Sequence, residues 1–177
     1  HNLPAVACKT GAKLAKVPGS VCAGCYALKG RYRFKNVQDA LNRRLQALED
    51  PLWVDAMVTL ITGEAWFRWH DSGDIQSMQH LENIFTVCKR TSQTQHWMPT
   101  REAQFLKQVD PATIPSNLII RMSSHMIDQG PVNFWPWTST VTSQDKRTCP
   151  APDQGNQCGT CRQCWDRGVD NVCYGKH

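Results

Sequence analysis

Acidic side chains are nearly missing from the first quarter of this chain. Residues 1–44 hold nine Lys or Arg (Lys9, Lys13, Lys16, Lys29, Arg31, Arg33, Lys35, Arg43 and Arg44) against a single acid, Asp39. With Tyr26, Tyr32 and Phe34 interleaved, this stretch can bind nucleic acid through phosphate contacts and base stacking. A solvated basic face is the plain alternative, and cations that lower the pKa of nearby thiols are a third reading. No apolar run reaches the length of a bilayer-crossing helix, so no membrane partner is expected. No secretory signal is visible, although a start at His1 rather than Met leaves room for an earlier segment. Internal repeats and low-complexity tracts are also missing, which excludes a repeat architecture. At 177 residues the chain is long enough for one domain with its own core.

Cysteine, by contrast, is abundant, with nine copies. The count is odd, and two-residue spacers are a poor frame for disulfides. They do let successive thiolates turn toward one ion or cluster. A reduced, cytoplasmic setting follows. One cysteine, Cys88, shares a helical face with Met78, Leu81 and Phe85, so it is expected to pack as a small hydrophobe. Eight remain as metal ligands: Cys8, Cys22, Cys25, Cys149, Cys158, Cys161, Cys164 and Cys173. The tight run "CGTCRQC" resembles the cysteine spacing of bacterial ferredoxins and points to an iron–sulfur cluster of the 4Fe-4S type, one or two per chain. Zinc is the alternative. The tail offers Cys158, Cys161, Cys164 and Cys173 for one cluster. Cys8, Cys22 and Cys25 form the other group, with Cys149 as a fourth ligand or with one iron left open.

The pattern of the remaining chain predicts an α/β fold. Helices are expected over "VQDALNRRLQALED" and over "PLWVDAMVTLITG", the second with Asp50 as N-cap and Gly63 at its end. "AWFRWHD", "QHWMPT" and "NLIIRMSS" read as strands, separated by helical "IQSMQHLENIFTVCKRT" and "REAQFLKQV". Strand, helix, strand, helix, strand argues for a partial (β/α) barrel-like parallel sheet with crossover helices. Residues 1–177 read as a single domain, comprising a basic cysteine-containing loop region (1–36), the βα core (37–128) and an irregular metal-binding tail (129–177) packed on that core. Within the tail only "TSTVTS" has strand character.

The carboxyl ends of parallel strands open into the crevice where ligands bind, and each predicted strand here ends in polar groups. Arg68, Arg101 and Arg121 are candidates to orient an anionic ligand, and His70 or Asp71 to carry a proton. Ser72, Gly73, Asp74, Glu102, Ser123 and Ser124 complete the set. Helix capping, surface placement and a satisfied core histidine are the plainer roles for these residue types. If the chain is an enzyme, redox or radical chemistry is the expected class, with a small-molecule or redox partner.

"NLPAVACKTGAK", "CAGCYALKGRY", "RWHDSGDI", "PTRE" and "CGTCRQCWD" resemble, in that order, the phage-encoded gene product 88 family, from Asn2 to Asp166. The first motif departs from the family's pattern, reading "CKTGA" where proline usually follows the cysteine. The resemblance implies a viral origin and the cytoplasm of an infected bacterium more than it implies a reaction. A fold-level likeness to radical S-adenosylmethionine proteins rests on Cys25-Tyr26 and the strand ending "SGD". It implies a cluster with one open iron on Cys8, Cys22 and Cys25. It also implies S-adenosylmethionine held near Tyr26 with Ser72, Gly73 and Asp74 at its amino group. The spacing departs from that superfamily, because thirteen residues separate Cys8 from Cys22.

Overall fold

The computed structural model describes residues 1–176. The chain begins with a short helix α1 (Lys9–Leu14), a loop of single turns, and helices α2 (Lys35–Gln46) and α3 (Trp53–Ile61). Strand β1 (Trp66–Arg68), helix α4 (Met78–Arg90), strand β2 (Gln95–Thr100), helix α5 (Ala103–Leu106) and strand β3 (Leu118–Ser123) follow. Strands β4 (Thr138–Thr142) and β5 (Asn171–Gly175) complete one sheet. All neighbouring strands are parallel and lie side by side in chain order, curling into a half-barrel.

Local chemistry accounts for most boundaries. Asp50 is not the expected N-cap: it accepts the Leu52 N–H at 2.8 Å in the turn before α3, and Leu52 takes the cap position with no side-chain bond. Gly63 leaves α3 with φ of 95°, a left-handed conformation that glycine takes without strain. Ser77 caps α4 by accepting the His80 N–H at 3.0 Å.

Strand alternation divides the buried side chains between two faces. Leu118, Ile120 and Met122 of β3 and Met98 of β2 pack outward against Met57 and Ile61 of α3 and Leu81, Ile84 and Val87 of α4. Cys88 belongs to this outer core and is fully buried, as its helical position predicts. Trp97, Ile119 and Val172 face inward, where the chain between β4 and β5 covers them through Cys164, Trp165 and Val169. The Trp165 ring meets Trp97 edge-on at 5.1 Å and Trp66 at 5.7 Å.

Two further expectations need correction here. The tail is not irregular throughout, because residues 171–175 form β5 and pair with β4 from Thr138↔Asn171 to Thr142↔Gly175. Five residues of mixed polarity at a sheet edge give only a weak pattern. Arg121 is also not an anion-binding residue at a strand end. Its side chain points to the inner face with no exposed surface. Nε donates to the Cys164 carbonyl at 3.1 Å. One terminal nitrogen reaches Gln163 O at 2.7 Å and Asp166 O at 2.8 Å. The other reaches Val169 O at 2.8 Å, with longer contacts to Thr138 O at 3.3 Å and Asp170 O at 3.4 Å. The guanidinium is therefore spent on holding the tail's backbone against the sheet.

Two outcomes follow from this packing. Arg121→Met leaves several buried carbonyls unpaired and is expected to lower unfolding free energy by about 3 kcal/mol or more in denaturant titrations. Arg121→Lys should rescue little, because one ammonium has three donors where the guanidinium has five. The second outcome concerns pH. Burial holds His80 and His96 down at about 4 and drives His70 well below its ordinary value. The unfolded chain takes up these protons near pH 6.5 while the folded chain refuses them, so stability is lost as pH falls from about 6.5 toward 4. At pH 5 the loss reaches about 2 kcal/mol per histidine, and His96→Gln should reduce it in the same titrations.

Candidate metal centre at the carboxyl edge of the sheet

The loop of residues 1–30 lies across the carboxyl ends of the first three strands. Leu3 exchanges two backbone-directed bonds with Ser72: its N–H donates to Ser72 O and its carbonyl accepts the Ser72 hydroxyl, both at 2.9 Å. Gly73 has φ of 80°, and a Cβ there would stand 2.4 Å from Leu3 Cβ, so only glycine admits the segment. Further along, Val21 N–H donates to His125 O, and Ser20 forms an antiparallel bridge with Met126 beyond β3.

This path brings three thiols together. Cys8 and Cys22 flank Gly11, where an added Cβ would lie 3.6 Å from one sulfur and 3.7 Å from the other. Cys25 is close enough for its charge to act on both. Around them stand two carboxylates. Asp74 is buried and accepts from Thr100 Oγ1 at 2.6 Å, Ile75 N–H at 2.8 Å and Arg101 N–H at 2.9 Å. Burial still raises its pKa to about 6. Glu102 has no exposed surface, and its two oxygens accept the Thr10 N–H and hydroxyl, each at 2.8 Å. Burial pushes the Cys8 thiol up to about 12, with Asp74 adding to the effect. Burial also raises Cys22, while the Arg101 guanidinium opposes the shift. The Arg101 Nε is buried without a partner.

Other expected site residues serve different ends. Asp71 pairs with Arg68 at 3.2 Å, accepts the Tyr32 hydroxyl, and receives the Tyr26 hydroxyl on its carbonyl. It thus anchors the cysteine loop and is not a free proton carrier. Tyr26 is taken up in the same anchor, and Arg68 also lies 4.7 Å over the Trp97 ring. His70 turns into the outer core, 5.5 Å from His80 and against Trp69, with both ring nitrogens buried and unpartnered. It has no route to a ligand at the edge. Ser72 and Gly73 are occupied by Leu3, so the place assigned to a cofactor amino group is filled by the chain's own backbone. Ser123 shares its hydroxyl with Ser139 at 2.9 Å, and Ser124 donates to Gly130 O. Glu102 is the buried acid that the motif "PTRE" left looking like a surface residue; its dependence on Thr10, ninety-two positions away, has no local signal.

The tail thiols form a separate group. No cysteine of the described residues is in a disulfide. Cys164 is buried on the inner face, with Cys149 and Cys158 near enough to act on its charge. Cys149 therefore joins the tail group and not the N-terminal one. Cys173 departs from the expected set: Val172 and Tyr174 point inward on β5, and alternation sends Cys173 to the other face. Among the described residues, no three His, Cys, Asp or Glu side chains converge as ligands of a single ion. No helix there is long and apolar enough to cross a membrane.

No curated protein and no solved structure matches this chain. The family resemblance is settled more firmly, because the family model described as Gene product 88 matches residues 1–167, which include the cysteine loop, all three strands that build the edge, and the tail's cysteine run. The chain belongs to the Gene product 88 family.

Proposed function

We propose that this chain is an iron–sulfur protein with redox or radical chemistry at the carboxyl edge of its sheet. The observation that carries the reading is the gathering of Cys8, Cys22 and Cys25 beside Asp74, Glu102 and Arg101. Cysteine ligates as thiolate, yet burial and two carboxylates oppose deprotonation here. A cationic iron centre supplies the missing counterweight, so binding releases protons and favours the thiolate form. A cubane places each thiolate on a different iron, so its cysteines stand further apart than the ligands of one ion. Three ligands leave one iron free for a small-molecule partner. Arg101, with a donor unspent, is the side chain in place to hold an anionic group there.

Anaerobic preparation, with equal ferrous and ferric iron and sulfide supplied, is expected to give a brown protein with a paramagnetic signal on reduction. Cys22→Ser and Cys25→Ser should each lower bound iron by about four per chain, measured by iron and sulfide assay, while circular dichroism stays unchanged. Iron content unaffected by either change, or zinc in place of iron, would sink the proposal.

A second reading is nucleic-acid binding through residues 9–44. All nine cations of that stretch are exposed, as are Tyr26 and Phe34, and among the described residues Lys35 alone is in an ion pair, at 2.7 Å to Asp39. Affinity for single-stranded oligonucleotide should then fall steeply between 50 and 200 mM salt, by about tenfold or more. The reversal Arg31→Glu with Arg33→Glu should abolish it in a filter-binding titration.

A further inference from the structure

The inner face of the half-barrel holds a positive charge with no anion in contact, Asp166 and Asp170 acting on it only from beyond ion-pair distance. Arg121 is enclosed on all sides, and its donors meet only carbonyl oxygens. No ion pair among the described residues includes it. The carboxylate of Asp166, which lends Arg121 its carbonyl, accepts from Gly168 N–H instead. Carbonyl dipoles solvate a buried cation but do not neutralise it, and charges removed from water are ordinarily matched by an opposite charge.

Thiols stand where that opposite charge belongs. The Cys164 carbonyl is itself a partner of Arg121. The Cys164 sulfur lies 3.1 Å from the Tyr174 hydroxyl, which becomes the donor once the sulfur is a thiolate. Cys149 is packed into the same inner cluster. Cys158 and Cys161 belong to one tight turn, closed by Cys161 N–H on Cys158 O at 2.9 Å. Three closely spaced cysteines plus one from a separate turn of the same tail is a pattern that grips separate irons of one cubane. We propose that Cys149, Cys158, Cys161 and Cys164 hold a second, closed iron–sulfur cluster on the inner face, with Arg121 as its buried countercharge and Tyr174 as its hydrogen-bond donor. Cys173 lies outside the ligand set. On loading, each thiol gives its proton to the medium as its sulfur bonds to iron. The resulting net negative centre is what the guanidinium faces. With four ligands no iron is open, so this cluster stores or relays electrons and braces the tail.

The proposal stands apart from the edge site and is tested apart from it, on the full chain supplied anaerobically with equal ferrous and ferric iron and with sulfide. The wild-type chain is expected to hold about eight irons, the double variant Cys22→Ser with Cys25→Ser about four, and Cys164→Ser about four. Cys173→Ser should keep the wild-type content. Because Cys164→Ser disturbs a buried position, Tyr174→Phe provides a milder test. It should keep all the iron but shift one reduction midpoint to a more negative potential in a redox titration followed by paramagnetic resonance, since a hydrogen bond to sulfur is lost. The proposal is overturned if the Cys22 and Cys25 double variant binds no iron, if it binds stoichiometric zinc, if Cys173→Ser loses as much iron as Cys164→Ser, or if Tyr174→Phe leaves every midpoint in place. A double variant that keeps the full wild-type content overturns the edge site alone.

Discussion

The position of the tail depends on one side chain. A bare sheet of five short parallel strands would leave its inner face open to water, and the segment between β4 and β5 has few apolar residues with which to cover it. Arg121 makes up the difference. Five N–H groups in a fixed planar fork find carbonyl partners spread over the backbone of residues 138–170. A single rigid cation thereby organises a loop that has almost no secondary structure of its own. Trp165, lodged against Trp66 and Trp97, adds the apolar part of the same contact.

The elements with strong periodicity could be read directly. Leu118 to Met122 and the helical face of Met78, Leu81 and Cys88 carry enough apolar residues to fix both their type and their packing. Arg121 was misassigned because a polar residue near the end of an apolar run looks like a strand terminus. Its register between Ile119 and Ser123 shows it to be the middle of the inner face. The cue for Cys173 was present in "NVCYG", where Val172 and Tyr174 already define a face that Cys173 does not share. Ser72 and Gly73 were beyond local reading, because their partner Leu3 lies sixty-nine positions earlier.

The two thiol groups occupy different electrical settings. At the edge, Asp74 and Glu102 make the surroundings negative, and Arg101 is the cation that acts on Cys22. On the inner face burial raises the Cys164 thiol to about 11, with the Tyr174 hydroxyl and the Arg121 guanidinium opposing that shift. Both groups thus resist thiolates until a metal cation arrives, the interior less so because a hydroxyl and a guanidinium partly offset burial.

The carbonyls that surround Arg121 lie between seventeen and forty-nine positions further along the chain. During synthesis the strand bearing this arginine emerges well before its solvating backbone does. A ribosome-bound chain that stops short of Gln163 must keep the guanidinium hydrated, and the concave surface with it. Closure of the barrel's interior is therefore among the last events of folding, governed by contacts of long sequence separation and correspondingly slow.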